Sequence, residues 1–299
     1  MSHSHSHSHS HSEGTSEKNL IFTMLLNFLI TIAEIIGGLV SGSLSLISDA
    51  LHNFSDGIAI IITYIAMKLS KKPKTLKYTF GLKRAEIFAA IINSSSLIVI
   101  SFFLIKEAID RLINPTPITG YLMLIVAAIG LIANVGGTLL LKKGSKDSMN
   151  MRAAYLHLLS DAISSLAVII GAIFIIVFQV YWIDPILTLL ISLYILKESY
   201  GITKEAVEVL MMAAPEGIDA NEIKAEVEKF EGVVNIHHLH LWKLNDNTIH
   251  FEAHIEVKND TISNLMPLKE EIEELLEHKY GIDHTTIQFE IGDCATDLV

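Results

Sequence analysis

The sequence contains one cysteine, Cys294, so an intrachain disulfide is impossible and a Cys-x-x-Cys metal or redox motif is excluded. Any metal chemistry must therefore use His, Asp and Glu side chains. Charged residues are also scarce, at 18% of 299 residues, whereas soluble domains average about 25%. Only 6 prolines and 17 glycines are present, which excludes a collagen-like or proline-rich disordered chain.

Charge is divided unevenly along the chain. Residues 1–200 contain 15 basic and 12 acidic residues, whereas residues 201–299 contain 7 basic and 21 acidic residues. Together with a mean hydropathy of +0.45, this division excludes a single soluble globule. It predicts an apolar first part followed by an acidic, water-facing domain. That acidic domain also argues against nucleic-acid binding, because it would repel phosphate groups.

Six apolar stretches follow a polar lead, and each is long enough to cross about 30 Å of hydrocarbon. We place them at 20–40, 44–67, 85–105, 119–141, 153–178 and 183–200. The last stretch is short and is weakened at its edge by Asp184 and Pro185. The pattern predicts a transmembrane domain of six helices over residues 19–200.

The lead, residues 1–18, contains five histidines that alternate with serine. It lacks the basic start and the short apolar core of a signal peptide. Two interpretations stay open: a native, weak metal-collecting arm, or a purification tag. In either case we expect a His/Ser-rich cytoplasmic segment.

The placement of Lys and Arg predicts the orientation in the membrane. The loop 68–84 contains seven basic residues and no acidic one, and the loop 142–152 contains four basic residues. The loops 41–43 and 179–184 contain none. Both termini are therefore expected on the cytoplasmic side, and with them the acidic domain.

Residues 201–299 show the pattern of a small folded domain. A helix over 222–230, capped by Asp219 or Asn221, is followed by two alternating apolar–polar strands, 233–244 and 248–257. A helix over 265–279 and a strand over 285–291 complete the order α-β-β-α-β. This order predicts a ferredoxin-like α+β domain.

The motif His-x-x-x-Asp occurs twice, once in the second and once in the fifth apolar stretch. The pairs are His52 with Asp56, and His157 with Asp161. Each pair lies on one face of its helix. If the two helices pack together, four N/O ligands converge, the number that Zn²⁺ prefers in a tetrahedron. The alternative, an intrahelical hydrogen bond, explains one such pair better than two with identical spacing.

Two further acidic residues lie within these apolar stretches, where uncompensated charge is costly. Asp49 shares a helix face with His52 and Asp56, and either orients the metal ligands or accepts a proton. Glu34, in the first stretch, is either a proton or cation relay or a structural partner. Because an empty site would hold several carboxylates together, we expect it to take up protons and to release them when metal enters. Such a site has the properties of a metal/proton exchanger.

The acidic domain carries a second set of histidines. His237, His238 and His240 lie in its first strand, and His250 and His254 in its second. Strand alternation puts His238 and His240 on one face and His237 on the other, unless a bulge intervenes. Together with Glu290, which ends the last strand, and His284, which precedes that strand, these residues form cytoplasmic metal sites or are simply exposed polar groups.

Several stretches resemble the cation diffusion facilitator family, in particular its bacterial cobalt–zinc–cadmium resistance branch. They are SGSLSLISDALHNFSD (41–56), YTFGLKRAEIFAAIIN (78–93), NMRAAYLHLLSDAISS (150–165), IHHLHLW (236–242) and HTTIQFE (284–290). The resemblance covers nearly the whole chain after residue 18. It implies six crossings, a ferredoxin-like cytoplasmic domain, a homodimer, metal/proton antiport and a place in the bacterial inner membrane.

The resemblance also implies two ligand sets. The transport site is His52, Asp56, His157 and Asp161, a combination that goes with Zn²⁺, whereas Asp at the first position broadens the preference to Cd²⁺. The cytoplasmic set is His237, His240, His254 and Glu290, with His284 nearby. The loop 68–84 contains no Asp or His, so the loop site of some members is not expected here. Gln288 stands where one type of member has His, and Cys294 has no partner for the C-terminal Cys pair of some animal members.

We therefore expect an exporter of divalent cations, chiefly Zn²⁺ and also Cd²⁺ or Co²⁺, with Zn²⁺ as its substrate and regulatory ligand. No catalytic cofactor is expected. The alternative is a membrane metal sensor or scaffold that does not transport, although it would not require ligands buried in two crossings. An intramembrane metallohydrolase would need a general base beside an open zinc position, as in His-Glu-x-x-His, which the sequence lacks.

Overall fold

A computed structural model describes residues 13–142, 149–245, 248–258 and 261–292. The predicted His/Ser segment up to residue 12 and Cys294 lie outside these ranges. The described residues that precede the C-terminal domain are mainly helical, because an apolar run in a membrane must satisfy its backbone hydrogen bonds internally. The helices are α1 (Glu13–Ser41), α2 (Leu44–Ser70), α3 (Ala85–Ile113), α4 (Gly120–Leu141), α5 (Met149–Phe178) and α6 (Ile183–Leu210).

Five of the described helices, α2 to α6, are long and apolar enough to cross a membrane. A shorter apolar segment, Leu25–Ser41, belongs to α1. Their outward surfaces are rich in exposed large apolar side chains such as Phe103 and Ile132, as expected for lipid-facing helices. The predicted helical membrane domain is confirmed as one of five or more apolar helices.

The turn between α1 and α2 is held by the carboxylate of Asp184, a residue that weakens the apolar character of the last predicted crossing. Asp184, at the start of α6, is fully buried. Its oxygens accept hydrogen bonds from the backbone N–H groups of Leu44 and Ser45, at 2.7 and 3.2 Å. They also accept from the hydroxyls of Ser43 and Ser45, at 2.7 and 2.6 Å. Asp184 thus caps the N-terminus of α2.

The C-terminal residues form a small α+β domain that confirms the predicted element order. Its elements are α7 (Ala220–Val227), β1 (Val233–Asn245), β2 (Thr248–Val257), α8 (Ile262–Tyr280) and β3 (His284–Glu290). β2 is central, antiparallel to β1 and parallel to β3. Alternation along β2 buries Phe251, Ala253 and Ile255 against Ile272 and Leu276 of α8, so the opposite face is left for polar residues.

Asp219 begins α7 as one of the two residues predicted to cap it. Its carboxylate accepts a hydrogen bond from the backbone N–H of Asn221 at 2.8 Å.

By compactness the chain divides into two units, Met1–Ile61 with Asn93–Gly201, and Ile62–Ile92 with Ile202–Val299. The second unit therefore includes the loop between α2 and α3 as well as the C-terminal domain.

Candidate metal centres

The two His-x-x-x-Asp motifs meet between α2 and α5. Nε2 of His52 lies 3.6 Å from Asp56 Oδ2, and Nε2 of His157 lies 3.8 Å from the same oxygen. Nε2 of His157 also lies 3.5 Å from Asp161 Oδ2. The four side chains therefore form one continuous cluster whose ligand atoms come from both helices.

The cluster has a buried and an accessible side. Asp161 is almost fully buried, with 3% of its side chain exposed, whereas the side chains of His52, Asp56 and His157 are 25–35% exposed. The ligand atoms of His52, His157 and Asp161 lie within 4.8 Å of one another. Within the described part of the chain, Asp161 Oδ2 and His52 Nδ1 have no hydrogen-bond partner. Such a set can bind one small cation that enters from the accessible side.

The two additional acidic residues are both buried near this cluster. Asp49 accepts a hydrogen bond from the Ser164 hydroxyl at 2.8 Å, so it also links α2 to α5. Glu34 is 1% exposed. Its Oε2 lies 3.5 Å from Nδ2 of the Asn53 side chain, and Asn53 directly follows His52. Its Oε1 has no hydrogen-bond partner among the residues that the structure describes. A side chain at Gly130 would place Cβ 2.7 Å from that oxygen, so glycine there makes room for the carboxylate.

A second cluster lies on the polar face of the C-terminal sheet. The imidazoles of His237, His238 and His254 have ring centroids 5.0–5.6 Å apart. Their ligand atoms lie within 4.8 Å of one another. Glu290 of β3 contacts two of them, with carboxylate oxygens 3.2 Å from His237 Nε2 and 2.8 Å from His254 Nδ1.

Two residues predicted for this cluster are not part of it. The pairing of β1 with β2 shifts between His237 and His240, so that His238 and Leu239 together oppose Ala253. Because of this bulge, His240 lies opposite Glu252 and is exposed. His284 pairs instead with His250, their ring centroids 4.8 Å apart.

His250 and His284 belong to a separate aromatic group. His250 stacks on Trp242 at 5.4 Å and meets the edge of Phe80, from the loop before α3, at 5.6 Å. Burial lowers the pKa of His250, as do the neighbouring charges of His284 and Lys74, while Asp283 opposes the shift. We therefore expect a neutral imidazole packed between aromatic rings at neutral pH.

Comparison with known families covers both parts of the chain. Residues 20–211 match the model of the cation efflux transmembrane domain, and residues 215–291 match that of the cation efflux protein cytoplasmic domain. The chain belongs to the cation efflux family. It is therefore a metal cation efflux transporter and a multi-pass integral membrane protein, of a family of transporters rather than enzymes.

Curated relatives agree with this family. The chain is 39% identical to the "Cadmium, cobalt and zinc/H(+)-K(+) antiporter" of Bacillus subtilis, over 97% of this chain and 92% of that protein. It is 36% identical to the "Metal cation efflux system protein CzcD" of Cupriavidus metallidurans, over 98% and 90%. It is 35% identical to the "Zinc transporter ZitB" of Escherichia coli, over 98% and 94%.

Local sequence patterns indicate the transmembrane cluster but not two other features. Strand alternation groups His238 with His240, and only the bulge brings His238 to His237. The available signal is the run of adjacent histidines itself, since adjacent ligands in a strand require an irregularity. From its flanking residues Asp184 is only the polar edge of a crossing, because its hydrogen-bond partners lie 139–141 residues away in sequence.

Proposed function

We propose that the chain exports Zn²⁺ by exchange with protons at a site formed by His52, Asp56, His157 and Asp161. The observation that carries this proposal is the position of Asp56, whose Oδ2 lies within 3.8 Å of an imidazole nitrogen on each helix. Two imidazoles and two carboxylates match the tetrahedral preference of Zn²⁺, whereas Mg²⁺ and Ca²⁺ prefer six or more oxygens.

Proton coupling follows from the chemistry of the same ligands. Zn²⁺ binds ionised carboxylates and neutral imidazoles, so binding competes with protons. When the cation leaves, Asp56 and Asp161 remain together in a site where negative charge is poorly solvated. Protons then replace the metal. If the site opens to each side of the membrane in turn, a proton gradient drives Zn²⁺ in the opposite direction.

Asp49 and Glu34 are proposed to support this exchange from positions behind the ligands. Asp49 has a fixed partner in Ser164, which suits a role in holding α2 and α5 in register. Glu34 is buried, and no described residue forms a hydrogen bond with its Oε1. A carboxylate in such surroundings is stable only with a bound proton or cation, so Glu34 is the better candidate for proton relay.

The C-terminal domain is proposed to bind Zn²⁺ as a regulatory ligand through His237, His254 and Glu290. The domain is strongly acidic, and the matching family model is of a dimerisation domain. Cations bound to two such domains reduce their mutual repulsion, which would tighten a homodimer. Small-angle scattering with and without Zn²⁺ tests this: unchanged dimensions of the purified dimer would contradict it.

The localisation follows from the loop charges. The basic loop 68–84 lies between α2 and α3, and the short turn between α1 and α2 contains no basic residue. On the positive-inside rule both termini lie in the cytoplasm. We propose the bacterial inner membrane as the site of action.

Zinc flux into liposomes tests the transport proposal directly. Protein is reconstituted with a fluorescent zinc indicator inside, and flux is measured with and without a pH gradient. We expect flux that increases when the interior is acidic and that is lost in Asp161→Asn. Flux that ignores the gradient would contradict antiport. Complete absence of flux, with zinc binding intact, would favour the alternative of a non-transporting sensor.

A further inference from the structure

His238 has a backbone conformation that histidine rarely adopts. Its φ is +49°, in the left-handed region where non-glycine residues are uncommon. The conformation coincides with the bulge, at which two residues of β1 oppose one residue of β2. Residues held in such conformations are strained, and they concentrate at functional sites. The bulge therefore calls for a compensating interaction of the His238 side chain.

The bulge turns the His238 ring toward two other imidazoles. Its centroid lies 5.3 Å from that of His237 and 5.0 Å from that of His254. His240, by contrast, lies directly opposite Glu252 of β2 and is exposed. That position is two residues along β2 from His254, or about 7 Å.

One buried nitrogen atom in this cluster has no hydrogen-bond partner among the described residues. It is Nδ1 of His237, a residue that is only 5% exposed. Leaving a buried polar atom unpaired is unfavourable. Edge-to-face packing of the rings would not satisfy this nitrogen, whereas coordination of a metal uses imidazole nitrogen lone pairs directly.

We propose that His238, and not His240, is the third imidazole of a Zn²⁺ site with His237, His254 and Glu290. This inference rests on the regulatory role proposed for the C-terminal domain. Three nitrogens and one carboxylate oxygen complete a tetrahedral set for Zn²⁺ within one chain. The site is then closed by residues of β1, β2 and β3 alone, and the strained bulge is the device that supplies its last ligand.

The experiment compares His238 with His240 in the full-length protein purified in detergent. An Asp56→Asn, Asp161→Asn background silences the transmembrane site, so that differences between the variants in competition with a zinc chelator report on the C-terminal site. His238→Gly removes the ring, and glycine keeps the left-handed backbone without strain. His238→Asn serves as the second variant, because asparagine also tolerates that region. His240→Ala is the matched control, and His237→Ala is the positive control.

We expect zinc affinity to fall at least about tenfold in His238→Gly and His238→Asn, because losing even a residue that only supports a ligand has an effect of that size. His240→Ala should bind zinc as the parent protein does. Co²⁺ substituted for Zn²⁺ should lose its tetrahedral absorption bands in the His238 variants and in His237→Ala, and keep them in His240→Ala. The assignment is overturned if both His238 variants bind as the parent does, or if His240→Ala weakens binding as much.

The outcome is independent of the transport proposal. Flux through the wild-type protein in liposomes depends on Asp161, whereas zinc affinity in the silenced background depends on the C-terminal cluster. If flux does not depend on Asp161 but the His238 variants lose zinc affinity, the exporter proposal is contradicted and the assignment of His238 stands. If flux depends on Asp161 but the His238 variants keep their zinc affinity, only the assignment of His238 is contradicted.

Discussion

The carboxylate of Asp56 on α2 lies 3.8 Å from Nε2 of His157 on α5. This distance is a direct link between the ligands of two helices that are separated by about one hundred residues of sequence. Each helix alone carries only an i, i+4 pair, which could be a local hydrogen bond. The contact between them turns two local pairs into one four-ligand cluster.

Asp161→Asn should reduce zinc flux in liposomes at least about tenfold, because it removes a charged ligand while keeping the shape of the side chain. Asp161 is the buried member of the cluster, with 3% of its side chain exposed. Asp110→Asn, which alters an exposed aspartate of α3, is the matched control and should transport normally. Equal flux in the two variants would contradict the assignment of Asp161 as a ligand of the transport site.

Glu34→Gln should reduce the number of protons released per zinc bound while leaving zinc affinity nearly unchanged. The glutamine keeps the shape of the buried side chain but cannot exchange a proton. Proton release is measured with a pH indicator in weakly buffered solution as zinc is added. Glu198→Gln, an exposed position of α6, is the control. Unchanged proton release in Glu34→Gln would indicate a purely structural role for Glu34.

Asp184→Ala should destabilise the protein by about 3 kcal/mol or more. The substitution leaves the buried N-terminus of α2 without an acceptor, and hydrogen bonds to a charged group contribute about 1.5–3 kcal/mol each. Ser45→Ala should cost less, since it removes only the bond from the hydroxyl and leaves the one from the backbone N–H. Thermal unfolding in detergent compares the variants. A melting temperature for Asp184→Ala equal to that of Asp110→Asn would contradict the capping role.

The membrane domain and its candidate site could be predicted because their signals are local. Apolar length predicts a crossing, and the spacing of His157 and Asp161 fixes their common helix face whatever surrounds them. The exceptions depend on distant partners. Asp184 is stabilised by the N-terminus of α2, and His238 is turned by the pairing of β1 with β2. Neither partner can be inferred from the few residues that flank these positions.

The C-terminal domain should lose stability as the pH falls below about 6.5, the ordinary pKa of histidine. Burial lowers the pKa of His250 in the folded domain, so the unfolded chain binds a proton at a pH where the folded domain does not. Protons therefore favour the unfolded state, and the free energy of unfolding decreases on acidification.

Denaturant unfolding between pH 7.5 and 5.5 tests this dependence, with Trp242 as the probe because it stacks on His250. A Trp182→Phe background removes the other tryptophan of the chain. His250→Gln should flatten the pH dependence, since glutamine does not titrate. His278→Gln, at an exposed position of α8, should leave it unchanged. If both variants keep the slope of the parent, the acid sensitivity of the domain arises from groups other than His250.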